Sequence, residues 1–205
     1  MSPRHYRMTR KKVASEEMRL RIVDATLKLH GQRGIFGTSW ADIAHEADVS
    51  VGTVYKYFPT LDELVPACGA LLMAKVQPPQ PDSIGSILGD ATELGERLRR
   101  VARELFSFYH RGGRHLDVDL RERELPAVRE WEEFLRGMVE GFVREALAGC
   151  SANDQLISRL SFLFDFPTYN AMRIRGMDIE AAIATVTEMA IAWLDAHAPL
   201  RRRDS

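Results

Sequence analysis

Apolar residues in this chain recur every three or four positions and almost nowhere alternate, which restricts the fold to packed helices. No Val-, Ile- and Thr-rich run alternates over a strand's length, and no Asn-Gly pair marks a hairpin. The chain is therefore expected to be all-α. A first helix is predicted from about residue 15 to about residue 33. Ser15 can cap it, Glu16 and Glu17 suit its positive end, and Met18, Ile22, Ala25 and Leu29 form one apolar stripe. Gly34 is a natural stop. Thr38 is expected to cap a second helix. Ser50 is expected to cap a third, Val51 to Tyr57, with Asp48-Val49 as the tight turn between them. Pro59 ends the third helix because it cannot donate a backbone hydrogen bond. Thr60, with Glu63 three residues on, has the pattern of a capping box and opens a fourth helix reaching about Val76.

The next segment, Val76-Gln-Pro-Pro-Gln-Pro-Asp82, cannot be helical and predicts a break between a small N-terminal domain and a larger C-terminal one. The expected organisation is a basic arm at 1–14, a head at 15–60, a connecting helix and Pro-rich loop at 61–82, and a helical bundle at 83–205. Within the bundle, helices are predicted at about 91–111, 126–147, 153–175 and 178–197, with a short one near 115–123. Pro126 suits a helical first turn, and Pro167 is expected to kink the penultimate helix.

Composition excludes several classes. Apolar residues make up 45% and charged residues 28%, as in ordinary soluble domains. No apolar run approaches the roughly 18 residues a membrane span needs. The basic start MSPRHYRMTRKK lacks the apolar stretch of a secretory signal. Two cysteines, Cys68 and Cys150, make neither a disulfide framework nor a Cys-x-x-Cys zinc site. A cytoplasmic protein is expected. The distribution of charge says more than its net value of −1. Residues 1–60 carry ten Lys/Arg against six Asp/Glu; the remainder carries eighteen against twenty-three. Arg4, Arg7, Arg10, Lys11 and Lys12 have no acid among them. A basic end on an acidic body suits contact with phosphate, and a solvated tail is the bland alternative.

The informative stretch is TSWADIAHEADVSVGTVYKYFPTLDEL, Thr38 to Leu64. It reads as two short helices joined by a tight turn, the second opening on small residues and continuing into aromatic and basic ones. A helix-turn-helix lays such a second helix in the DNA major groove, N-terminal end first. Small side chains let it approach base edges, and hydroxyls and amines on its flank reach phosphate oxygens. The candidate DNA-binding residues are Thr38, Ser50, Val51, Gly52, Thr53, Tyr55, Lys56 and Tyr57. Phe58 and Trp40 read as packing residues. The segment from Ile22 to Leu64 resembles the DNA-binding domain of TetR-family regulators. The resemblance rests on Ile22-Val23-Asp24-Ala25, Gly34, Thr38, Asp42-Ile43-Ala44, Ala47, Val49-Ser50, Gly52-Thr53-Val54-Tyr55, Tyr57-Phe58 and Glu63-Leu64. The chain departs from the family pattern at Val51 and Leu61, where a basic residue is common, at His30, where an aromatic is usual, and at Asp48, where Gly is usual.

The resemblance implies an N-terminal three-helix DNA-binding domain and a C-terminal helical bundle for ligand binding and dimerisation. It further implies a homodimer on a palindromic operator of double-stranded DNA, released by a small-molecule effector. Aromatic supply in the C-terminal half suggests a largely apolar or aromatic effector. The candidate ligand-binding residues are Phe106, Tyr109, Trp131, Phe134, Met138, Phe162 and Phe166, though most such side chains are ordinary core. In the last helix Ile179, Ile183, Val186, Ala190 and Trp193 form a stripe that Met189 and Leu194 broaden. That excess is expected to be a dimer seam, with packing inside one chain as the alternative. No cofactor, metal or catalytic site is expected. His110 and His115 with Asp117 and Asp119 match no metal-ligand spacing, and no Gly-x-Ser-x-Gly occurs. Rival readings are an activator or ligand-independent regulator, an α-helical enzyme, and an interaction module without DNA binding.

Overall fold

The computed structural model describes residues 3–197, with side chains described from Arg10 onward. The described residues form ten α-helices linked by short 3-10 turns, with no strand among them. They divide into two compact units, one of the residues up to 76 with 117–130 and one of 77–116 with the described residues from 131 onward. Among the described residues no helix is long and apolar enough to cross a membrane.

The first unit opens with α1, Pro3–Arg33. The helix thus starts at Pro3 rather than at Ser15. Nothing between them breaks a helix, and proline is tolerated in a first turn. Arg10, Lys11 and Lys12 accordingly lie on a helix and not in an arm; the side chains of Arg4 and Arg7 lie outside the described residues. Gly34 ends α1 at φ +77°, its amide donating to His30 O at 2.9 Å. Helix α2 is Trp40–Glu46, and its cap is Ser39 rather than Thr38. Ser39 Oγ accepts from the Asp42 amide at 3.1 Å while Asp42 accepts from the Ser39 amide at 3.0 Å, a reciprocal capping box. Those hydrogen bonds, chiefly from Ser39, hold the Asp42 carboxyl below its ordinary range. Thr38 instead bonds back into the turn, its hydroxyl donating to Gly34 O at 2.9 Å.

Helix α3, Val51–Tyr57, is capped by Ser50, and α4 spans Leu61–Val76 with Pro66 inside it. Helices α1 to α4 close on a core of Ile22, Ile43, Val54, Phe58 and Leu64, each at most 2% exposed. Arg19 covers the Phe58 ring at 4.8 Å. Cys68 is buried there, and desolvation pushes its thiol up to about 12.

In the second unit α5 (Ile84–Leu88) precedes α6 (Leu94–Gly112). Helix α7 is Pro126–Ala146, and the division between units falls within it, after Glu130. Arg97 of α6 donates to the end of α7 at Ala146 O, 2.9 Å away, supplying a donor for an orphan carbonyl. The expected penultimate helix is in fact two, α8 (Asp154–Ser161) and α9 (Phe166–Ile174), separated by a 3-10 turn at Phe162–Phe164. Pro167 does not kink a helix; it sits in the first turn of a new one, where its missing amide costs nothing. The carbonyls freed at the break are satisfied by side chains. Tyr109 donates to Phe164 O at 3.0 Å and Thr168 to Phe162 O at 2.8 Å.

Helix α10, Ile179–His197, packs along α6. The approach is close enough that a Cβ on Gly95 would stand 3.2 Å from Ile191. The stripe expected at a dimer seam is largely consumed here. Ile183, Val186 and Ala190 are at most 1% exposed within a single chain. Those three residues are covered within the chain itself, whereas Met189 on the same helix stays 46% exposed.

Asp48 carries the helix-turn-helix turn at φ +51°, a region that disfavours Cβ-bearing residues but that Asp tolerates. Asp48→Gly should leave stability unchanged or raise it by up to about 1 kcal/mol. Asp48→Val should lower it by about 1–2 kcal/mol. Urea unfolding of the two variants beside the wild type measures both.

Candidate nucleic-acid interface

The turn between α2 and α3 is built from both sides. Val49 donates to Ala44 O at 2.9 Å, and Arg21 of α1 donates to Asp48 O at 3.3 Å. Ser50 Oγ accepts from the Thr53 amide at 3.1 Å and lies 2.8 Å from Thr53 Oγ1, so the first turn of α3 is pinned by two hydroxyls. Burial of Val54 and Phe58 then fixes the rotation of the helix. The opposite face presents Val51, Gly52, Tyr55 and Lys56, all exposed, at i, i+1, i+4 and i+5. Along that face the side chains run from Gly52 through aromatic Tyr55 to basic Lys56.

The other predicted residues are placed differently. Thr38 donates within the turn with both its amide, to Ile35 O at 3.3 Å, and its hydroxyl, to Gly34 O at 2.9 Å. Tyr57 is half-buried, its hydroxyl accepting from Ser15 Oγ at 3.4 Å, and it ties α3 to α1. Tyr55 stays 45% exposed but its ring packs on Trp40 with centroids 4.9 Å apart. Trp40 therefore sets where the Tyr55 hydroxyl points. The spacing of Trp40 and Tyr55 in the sequence gave no signal of that pairing.

In the second unit, Phe106, Tyr109 and Phe166 come together with Tyr169. Ring centroids are 5.1 Å apart for Phe106–Tyr169, 5.7 Å for Tyr109–Phe166 and 5.9 Å for Tyr109–Tyr169. His110 Nδ1 lies 3.0 Å from the Tyr169 hydroxyl. Trp131 and Phe134 form a separate stacked pair at 5.4 Å, Met138 is core, and Phe162 is 59% exposed, outside the cluster. Asp165, which sequence reasoning missed, stands at the cap position of α9 without capping it. Burial pushes its carboxyl up to about 6, against the opposing pull of Arg136 and with a further push from Glu140. An acid just before Phe-Pro, where the next turn must start, was the available signal. Among the described residues no group of three His, Cys, Asp or Glu is placed to hold a metal ion.

Comparison with known proteins bears on this geometry. A sequence model of bacterial regulatory proteins of the TetR family matches residues 22–68, the segment that forms the head and the start of α4. The transcriptional repressor KstR of Rhodococcus jostii is 47% identical over 47 residues, 23% of this chain and 22% of KstR. The chain thus matches only about a fifth of that relative's length. Over most of the chain the likeness is structural. A TetR-like transcriptional regulator from Rhodococcus superposes with a TM-score of 0.60 at 18% identity, covering 86% of this chain and 95% of the other. The regulator FadR of Bacillus subtilis, solved with stearoyl-CoA, superposes at 0.58 and 19% identity, covering 84% and 97%. The fold is that of TetR-type regulators. Residues 22–68 are similar to the N-terminal domain of TetR-family regulators, and beyond them the likeness is one of fold.

Outcomes are expected for three variants. Tyr55→Phe should leave the fold intact and weaken DNA binding by about 1 kcal/mol, and Lys56→Ala should lower the slope of affinity against salt by about one. Titrations at several salt concentrations measure both. Asp165, raised above its unfolded value near 3.9, takes up a proton on folding between about pH 4 and 6, so its contribution to stability falls as pH rises through that window. Asp165→Asn should flatten the pH dependence of thermal unfolding there and raise stability at neutral pH.

Proposed function

We propose that this protein is a transcriptional regulator acting as a homodimeric repressor. Two α3 helices read the halves of a palindromic operator, and a small effector in the second unit releases the DNA. The observation that carries the reading is the exposed face of α3, with Val51, Gly52, Tyr55 and Lys56 outward on a head whose core fixes the helix's rotation. The family match over that segment supports DNA binding, and KstR, a repressor by name, supports repression. Arg10, Lys11 and Lys12, exposed on α1, supply phosphate neutralisation that Val51 and Leu61 do not.

For the effector, the aromatic cluster of Phe106, Tyr109 and Phe166, with Trp131, Phe134 and Met138 on α7, supports a largely apolar ligand. FadR, which holds stearoyl-CoA on the same fold, agrees with that class. Phe162, with its ring in solvent, is better suited to an interface. Release requires that the effector bind the DNA-free state more tightly than the DNA-bound one.

The dimer seam falls on the apolar residues that one chain leaves uncovered. Phe162, Ile174 and Met189 are 59%, 68% and 46% exposed in the second unit. Selecting genomic fragments on the purified protein tests DNA binding; enriched fragments should be palindromic, with half-sites about one helical turn apart. Adding stearoyl-CoA to the complex then probes release. Met189→Arg should yield a folded monomer with weakened operator binding. Ile183→Arg should instead unfold the second unit, because it buries an unpaired charge at a cost of several kcal/mol. Sedimentation with circular dichroism separates these results; a wild type that is monomeric at micromolar concentration would sink the dimer.

A further inference from the structure

Glu122 is a charged side chain buried at 5% exposure, far along the chain from the segment it touches. Its hydrogen-bond partners are backbone amides. One oxygen accepts from Ile35 at 2.5 Å, and the other accepts from Asp119 at 3.2 Å. Asp119 in turn accepts from the amides of Arg121 and Glu122, at 2.8 and 2.9 Å, which folds 119–122 into a rigid turn. The neighbouring Arg121 lays its guanidinium over the Phe36 ring at 4.8 Å. Two consecutive side chains therefore grip two consecutive positions, 35 and 36, of the turn between α1 and α2.

Within itself the turn is closed by the Gly34 amide on His30 O and the Thr38 amide on Ile35 O. Gly34 is in the left-handed region at φ +77°, and a Cβ there would stand 2.7 Å from the Glu122 carboxylate. The Gly34 carbonyl accepts from Thr38, and Ser39 immediately after opens α2. Any shift at Ile35 is passed along this short chain to the first helix of the helix-turn-helix.

We propose that Glu122 is a positioning residue for DNA reading, clamping the α1–α2 turn from a segment that the second half of the chain supplies. The inference rests on the regulatory reading above. The clamp lies on the connection between α6 and α7, the two helices that carry most of the candidate effector residues. The head is thus complete only while 117–125 stays docked on it, and undocking that segment lowers DNA affinity without unfolding α1 to α4.

The test compares full-length wild type, Glu122→Ala, Glu122→Gln and Arg121→Ala. It measures amide hydrogen exchange at Ile35 and affinity for a DNA fragment selected by the wild type, well below the unfolding temperature. Glu122→Ala should exchange the Ile35 amide at least roughly tenfold faster and bind DNA roughly tenfold more weakly. Glu122→Gln, which keeps an acceptor for Ile35, should retain protection there and most of the affinity. Arg121→Ala, which removes a surface contact, should give a smaller loss. If Glu122→Ala fails to fold, the Gln variant decides: lost affinity with the Ile35 amide still protected overturns the clamp. So does a folded Ala variant whose amide stays protected, or whose amide is freed while affinity is unchanged. Failure of the regulatory reading shows in the wild type, as absence of any selected DNA; failure of the clamp shows in the variants alone.

Discussion

The rotation of α3 about its own axis depends on a small buried cluster. Ile22 from α1, Ile43 from α2, Val54 and Phe58 from α3 and Leu64 from α4 meet at almost no exposure. With Val54 and Phe58 inward, helical geometry leaves Val51, Gly52, Tyr55 and Lys56 no choice but to face out. Cores are packed like crystals, so this rotation is set within narrow limits. The polar devices around the cluster, Ser50 on Thr53 and Arg21 on Asp48, fix the axial position that packing leaves free.

The head was legible because its signals are local. Ser50 three residues before the amide it caps, Asp48 at the left-handed turn and Pro59 at the stop each act over a few residues. The error at Thr38 was also local: a capping box needs its acid three residues on, and Asp42 answers to Ser39. The start of α1 was missed for a different reason. Ser15 can cap a helix, but a serine within a helix is tolerated, and no breaker precedes it.

What depends on partners distant in sequence was not legible. Periodicity shows that a face of α10 is apolar, and cannot say whether α6 or a second chain covers it. The same holds for residues 117–130, whose place with the first unit rests on contacts across some ninety residues, such as Glu122 with Ile35. Aromatic content pointed to residues of which Phe106, Tyr109 and Phe166 cluster in the second unit. It could not separate Tyr109, whose hydroxyl satisfies the broken backbone at Phe164, from Phe162, whose ring stands in solvent.

Cys68 sits in the core of the head with its thiol displaced to about 12 by burial. Oxidants and electrophiles attack the thiolate, and at neutral pH that form is vanishingly rare here. Sulfenic acid formation and mixed disulfides at this position would first require the head to open. Its sulfur serves the packing of the head's core, and thiol chemistry at this position is closed for as long as the head is folded.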